Sequence, residues 1–140
     1  MIKHLAHSLI SVSKKYRSSL LKELPDLNID KYQYVMVLID DYHENLSQTT
    51  LAELLQIDKS QMVNILNYLT DKGYVHRETN VADRRERLVK LSAEAKRVVP
   101  LIRGAIAKLN NQSFRNLSER QVRDFTTTLQ TIQNNLSGGK

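Results

Sequence analysis

Apolar positions recur at three- and four-residue intervals along most of this chain, and at two-residue intervals in one place only. Ile2, Leu5, Leu9, Val12, Tyr16, Leu20 and Leu24 form one stripe, closed by Pro25, so the spacing predicts an N-terminal helix. A second helix is predicted from about Asp30 to Tyr42, with Tyr34, Val37, Leu38 and Asp41 at helical spacing. Ser47 reads as the N-cap of a short helix through Leu55, with Leu51, Leu54 and Leu55 facing inward. Asp58 caps the next helix and Gln61, three residues on, completes a capping-box pattern. Met62, Ile65, Leu66 and Leu69 are its apolar stripe, and Gly73 stands where a helix C-terminus favours glycine. Only a few residues around Gln56 and Ile57 separate these two helices, the shape of a helix-turn-helix.

After Gly73 the period changes. Tyr74–Glu78 and Arg87–Leu91 read as two strands joined by a polar turn containing "NVADRR". Ser92 caps a further helix, with Glu94 in its first turn, carrying Val98, Val99, Ile102, Ala105, Ile106 and Leu109; Pro100 and Gly104 are the places where it is expected to bend. Ser118 with Gln121 opens a last helix whose seam is Val122, Phe125, Leu129, Ile132 and Leu136. The predicted fold is mainly α with a small β-hairpin wing. It is a winged helix-turn-helix over about 30–92, flanked by N- and C-terminal helices at about 1–28 and 93–137, all within one domain spanning 1–140. The stripe Leu5, Leu9, Val12 and the last-helix seam exceed what so small a winged helix covers, and soluble monomers avoid large exposed apolar patches. Both are therefore expected at a homodimer interface.

Composition narrows the function. The chain has 140 residues, 41% apolar and 26% charged, ordinary for a soluble globular protein. It contains no cysteine, which excludes disulfides, thiolate metal sites and thiol redox sensing. No run is long enough to cross a membrane, and His and Lys interrupt the N-terminus too often for a signal peptide. A cytoplasmic location is expected. The tail "SGGK" reads as disordered.

The net charge of +6 is segregated. Residues 1–25 carry +4, residues 26–58 carry −6, and residues 59–140, with fifteen Lys/Arg against seven Asp/Glu, carry +8. Such a basic block suits a polyanion, although solvated surface charge is the commoner cause of any single cluster.

The outward positions of the second helix of the turn are Lys59, Ser60, Gln61, Asn64 and Asn67, with no acid among them. Amides bond bidentately to adenine edges, and Lys reaches guanine or phosphate. A plain solvated helix face has the same composition, but this one directly precedes a cationic hairpin carrying Arg77, Arg84, Arg85 and Arg87. An Arg at a loop tip can enter the narrow minor groove. Asp83 beside it subtracts charge, and so makes more sense as an orienting partner than as a source of phosphate affinity; on these residues alone an ordinary solvated turn with offsetting charges is the alternative. His4 and His7 are one turn apart and His43 is a third imidazole, but no dense acidic or histidine cluster accompanies them, so no metal is expected. The acids Asp40, Asp41 and Glu44 read as a solvated helix end. No catalytic spacing, phosphate loop or cofactor motif stands out, so neither an enzyme nor a cofactor is expected.

The segment "DKSQMVNILNYLTDKGYVHRETNVADRRERLVKLS" resembles the signature region of the MarR/SlyA family of bacterial transcription regulators. Leu69, Lys72, Gly73, Tyr74, Val75 and Arg77 match its Leu-x-x-Lys-Gly-hydrophobic-hydrophobic-x-Arg segment, while Asp83, Arg85, Leu91 and Ser92 match its wing. The chain departs from the common pattern at Gln61, Val63 and Asn64, and at Ala95, where many members have Gly.

The resemblance implies a homodimer that binds a palindromic double-stranded operator as a nucleoid-associated repressor, with Arg85 in the minor groove and Asp83 orienting it. It also implies release by a small aromatic or phenolic effector, for which Tyr16, Tyr32 and Tyr34 are the candidate pocket residues; core packing would account for buried tyrosines as well. The alternative is a winged-helix interaction module whose basic face meets an acidic protein partner.

Overall fold

The computed structural model describes residues 3–43 and 45–138. The expectations that fall on Ile2, Glu44 and the last two residues of the tail lie outside the described residues. The chain separates into two units, residues 1–106 and residues 107–140.

The first unit begins with α1 (Leu5–Glu23), whose C-cap is Leu24, immediately before Pro25. Next comes α2 (Gln33–Asp41), shorter than its sequence pattern suggests. The reason is local: Tyr32 at its N-cap lies in the left-handed region at φ 70°, so the helix cannot extend back toward Asp30. The face of α2 also differs from expectation. Val35, Met36 and Ile39 are buried, whereas Tyr34 is 52% exposed and Asp41 lies at the surface. This whole segment is apolar enough that spacing alone does not choose a face.

A short strand that periodicity missed, β1 (Leu46–Ser47), precedes α3 (Gln48–Leu55). Ser47 serves both elements: it pairs in the sheet, and its Oγ accepts from Thr50 N at 3.0 Å as the N-cap. Leu51 is fully buried as expected, but Leu54 is 41% exposed.

α4 (Lys59–Asp71) starts with the capping box, Gln61 N donating to Asp58 Oδ1 at 2.7 Å and Asp58 N donating to Gln61 Oε1 at 3.4 Å. Its stripe of Met62, Ile65, Leu66 and Leu69 is buried. At its end Gly73 adopts φ 83° and donates to Thr70 O, while Tyr74 N donates to Leu69 O, the paired bonds of a Schellman stop.

The hairpin is β2 (Val75–Thr79), starting one residue later than its pattern suggests, and β3 (Arg87–Leu91), starting where expected. With β1 they form an antiparallel sheet of order β1-β3-β2, with Val75 opposite Leu91 and Arg77 opposite Val89. Because successive side chains alternate faces, Val75, Arg77, Val89 and Leu91 share the inner face. α2 and α3 pack on β3 and α4 packs on β2, which closes the core beneath the wing.

Ser92 joins the hairpin to the next helix. Its Oγ donates to Gly73 O at 2.6 Å and accepts from Ala95 N at 3.1 Å. α5 (Ala93–Ser113) then runs as one unbroken helix through both Pro100 and Gly104, which lie on its exposed side. In the first unit it buries Ala95, Val98, Val99, Ile102 and Ala105.

The second unit holds the end of α5 and α6 (Glu119–Leu136), opened by the Ser118–Gln121 capping box. The rings of Phe114 and Phe125 meet edge-to-face with centroids 6.3 Å apart. No described residue of α6 is buried: Val122, Leu129 and Ile132 are half-covered, Phe125 is 52% exposed and Leu136 77% exposed. Ser137 is the C-cap of α6, its backbone N–H donating to Gln133 O and Asn134 O, so the helix runs up to the start of the tail.

Candidate nucleic-acid interface

The interface is assembled from α4 and the wing. Burial of Met62, Ile65, Leu66 and Leu69 fixes the rotation of α4, and it leaves Lys59, Ser60, Gln61, Asn64 and Asn67 exposed on the other side. Within this set the structure makes a division that the sequence did not. The side chains of Lys59, Ser60 and Asn64 make no hydrogen bond or ion pair among the described residues. Gln61 Oε1 is engaged in the helix cap. Asn67 Oδ1 accepts from Arg77 Nη2 at 2.8 Å.

The wing tip is a chain of two side-chain turns. Asn80 Oδ1 accepts from Ala82 N at 3.0 Å, and Asp83 Oδ1 accepts from Arg85 N at 3.1 Å. Short polar side chains stabilise such turns by replacing a backbone acceptor. Asn80 Nδ2 also donates to Glu86 Oε2 at 3.3 Å, across the mouth of the loop. Asp83 then grips the Arg85 guanidinium, Oδ1 taking Nε at 3.1 Å and Oδ2 taking Nη2 at 3.3 Å.

That pairing draws the Asp83 carboxyl below its ordinary value: the Arg85 side chain is the largest cause, and the Arg85 backbone N–H adds to it. Arg85 itself remains 91% exposed. Arg84 is exposed with no side-chain partner among the described residues, and Val81 also projects into solvent. Asn80 was not among the expected site residues, although an Asn opening a turn is the signal that could have found it.

Arg77 and Arg87 sit lower, on the inner face of the hairpin. Arg77 is half-buried, and burial lowers its pKa first, with repulsion from Arg87 second. Arg87 is exposed.

Behind the interface lies a cavity of about 480 Å³, lined by Tyr16, Arg17, Lys31, Tyr32, Gln33 and Tyr34 among others. Its lining includes all three tyrosines singled out from sequence, with Tyr34 only about half covered at 52% exposure. Burial raises the pKa of Tyr16 and, with Tyr32 adding to it, that of Tyr34. Gln33 is 97% buried by its 3% exposure, and its Nε2 has no acceptor among the described residues.

The same segment reaches α4 directly. Tyr32 meets Tyr68 edge-to-face with centroids 5.6 Å apart, and Lys31 Nζ lies 5.3 Å from one ring centre and 5.1 Å from the other. Tyr68 Oη donates to Asp30 Oδ1 at 2.9 Å and accepts from Asp30 N at 3.2 Å. Sequence reading passed over this contact, since Tyr68 is off the apolar stripe of α4. Among the described residues no cluster of three or more His, Asp or Glu could hold a metal, and no helix is long and apolar enough to cross a membrane.

An acid-free helix face beside a cationic hairpin, on a helix-turn-helix closed by a three-stranded sheet, defines a winged helix-turn-helix protein. The MarR family model matches residues 31–86, so the winged-helix segment of this chain is similar to that family. The whole chain also resembles solved structures. A putative MarR family transcriptional regulator from Listeria monocytogenes complexed with 26mer DNA is 19% identical, with a TM-score of 0.82 over 97% of this chain and 91% of that one. A mutant MarR from E. coli complexed with operator DNA is 22% identical, with a TM-score of 0.77 over 91% and 92%. CouR from Rhodococcus jostii RHA1 bound to p-coumaroyl-CoA is 21% identical, with a TM-score of 0.76 over 93% and 92%. At these identities the likeness is one of fold.

Proposed function

We propose that this protein is a sequence-specific double-stranded DNA-binding transcription regulator, acting in the cytoplasm at the nucleoid as a homodimeric repressor on a palindromic operator. It is a binding protein and not an enzyme. The observation that carries the reading is the pairing of an acid-free α4 face with an exposed Arg85 held in place by Asp83. In this reading the N-terminal part of α4 enters the major groove, with Lys59, Ser60, Gln61 and Asn64 toward the bases and phosphates. Arg85 enters the adjacent minor groove, Arg84 supplies phosphate affinity, and Arg87 adds to the field.

α1 and α5–α6 (about 1–28 and 93–137) form the dimerisation region, through Leu5, Leu9, Val12, Val122, Phe125, Leu129, Ile132 and Leu136. The exposed apolar side chains on α1 and α6 support this assignment. A two-fold dimer doubles the contacts and fixes half-sites about 34–36 Å apart, or a multiple of that.

The cavity lined by Tyr16, Tyr32 and Tyr34 is the effector site. Two DNA-complexed neighbours and one bound to p-coumaroyl-CoA agree with a regulator that answers to an aromatic or phenolic ligand. An acceptor on the ligand would meet Gln33 Nε2, and its charge would meet Lys31 and Arg17.

DNA retardation with salt titration and competitor DNA tests the reading. Counterion release makes affinity fall steeply with salt, with a log–log slope of roughly −0.9 per phosphate contact. Binding that is steep in salt and also prefers one sequence over competitor supports a regulator. Binding to acidic proteins with no preference among DNA sequences would instead support an interaction module.

A further inference from the structure

We propose that Arg77 and Asn67 form a strut that sets the wing against the recognition helix, and that Arg77 is a positioning residue rather than a DNA contact. The proposal deepens the DNA-binding reading and rests on it for its functional half. Arg77 projects from the inner face of β2, beside Val75 and across from Val89. Its Nη2 donates to Asn67 Oδ1 at 2.8 Å and makes a longer contact with Val63 O at 3.4 Å. One guanidinium nitrogen therefore spans one turn of α4, from residue 63 to residue 67. Asn64 stands within that turn, and Lys59 and Ser60 one turn before it.

Three features separate this arginine from those at the wing tip. Its Nε is buried and finds no acceptor among the described residues, so that edge cannot meet a phosphate without the hairpin lifting from α4. Its two acceptors are neutral, so no carboxylate compensates the cation within the strut. Arg87, on the same face of the hairpin, adds repulsion. A half-buried cation under these conditions is expensive to keep. What it achieves is directional: the fork of a guanidinium is rigid and planar, so a bond to one helical turn restricts both the tilt of the hairpin and the rotation of the helix. The base-reading side chains of α4 and Arg85 must engage two grooves of the same duplex. Holding them in fixed separation favours the one arrangement that fits a cognate site.

Asn67→Asp separates the possible roles, because it places a carboxylate on the strut and also on the helix face. In a strut it strengthens the bond, as charge-assisted hydrogen bonds do. On DNA it would oppose phosphate or change the base read. The experiment uses the full chain with Asn67→Asp, Arg77→Met and the double variant, and circular dichroism checks that each is folded.

Without DNA, Asn67→Asp should raise the thermal midpoint when Arg77 is present and not when it is replaced. An equal effect in both backgrounds overturns the strut. With DNA, Asn67→Asp should select the same binding site as the wild type. Arg77→Met should lose ten-fold or more in preference for that site over competitor, while its salt slope on competitor DNA stays at the wild-type value. A slope smaller by about one phosphate contact with preference intact would make Arg77 a phosphate ligand and overturn the proposal. A changed motif for Asn67→Asp would make Asn67 a base reader, with the same result. A wild type that binds no DNA would refute the regulator reading instead, and the thermal comparison would still decide the strut. If Arg77→Met does not fold, the motif selected by Asn67→Asp decides.

Discussion

Asp83 holds Arg85 by three hydrogen bonds, two to the guanidinium and one to the backbone N–H. One carboxylate thus shapes the turn and aims the side chain that leaves it. The expected consequence is that Arg85→Ala costs roughly 1–3 kcal/mol of specific DNA binding without altering fold or assembly. Asp83→Asn leaves the cation in place but frees it, so it should weaken specific binding by a smaller amount and leave non-specific binding near the wild-type level. Competition retardation assays on both variants check this. Wild-type specificity in Arg85→Ala would remove the wing from the mechanism.

The exposed face of α4, proposed to read bases, carries a complication that its sequence conceals. Gln61 belongs to the capping box as well as to the exposed face, so Gln61→Ala confounds lost reading with a lost cap. Asn64 has no such second task, and Asn64→Ala should relax base choice at one position by about 1–3 kcal/mol with the thermal midpoint unchanged. Gln61→Glu keeps an acceptor for Asp58 N, and should alter the preferred sequence without loosening the helix. Lys59→Ala should weaken all sequences alike. Site selection from a randomised duplex pool reads all three, and identical motifs for the wild type and the two amide variants would put base reading elsewhere.

Much of this was legible in the order of residues. The α4 stripe, both capping boxes, Gly73 and the β3 boundaries follow from spacing and from local backbone chemistry, which act within a few residues of one another. What escaped was decided at longer range or by a single dihedral. β1 is two residues long and exists only because Leu46 and Ser47 meet Val89 and Leu88. The start of α2 depends on the left-handed Tyr32, and its buried face on which side β3 approaches. Among the candidate site residues, exposure of the α4 face followed from the stripe. The engagement of Asn67 by Arg77 required a residue ten positions away to point back across the fold.

Tyr68 is tied to Asp30 on the loop before α2, and this bond has a pH signature. The Tyr68 hydroxyl is the largest influence lowering the Asp30 pKa from 3.8; burial opposes it and Arg17 assists it. The carboxylate form is favoured in the folded protein. Its contribution to stability is therefore present above the ordinary carboxylate range and disappears as pH falls through the lowered pKa. Tyr68→Phe removes both bonds, so the Asp30 pKa should rise toward its ordinary value. The variant should be less stable than the wild type at neutral pH, with the gap closing in acid. Carboxyl chemical shifts of Asp30 and denaturant midpoints across that range measure the two effects. Because Tyr32 touches both the cavity and Tyr68, the variant should also respond less to a bound effector in the DNA assay.

Assembly is the condition on which the DNA predictions depend, since one winged helix contacts too few bases to select a single site. On α1, Leu5, Leu9, Ile10 and Val12 are exposed, and on α6 the seam is at most half-covered, with Phe125 and Leu136 largely open to solvent. Each helix thus leaves several large apolar side chains uncovered, which chains in water tend to bury against a partner. The expected state is a homodimer at micromolar concentration, with Phe125→Asp plus Leu129→Asp giving monomer or aggregate and abolishing specific binding. Phe125 also stacks on Phe114, so its loss carries a cost to folding that is independent of dimerisation. Leu136→Asp avoids this ambiguity, because its side chain is already 77% exposed and the helix ends there. It should weaken the dimer while leaving circular dichroism unchanged. Sedimentation or light scattering across a concentration series distinguishes the states, and a wild-type monomer that binds one operator half as tightly as the full palindrome would overturn the two-fold arrangement.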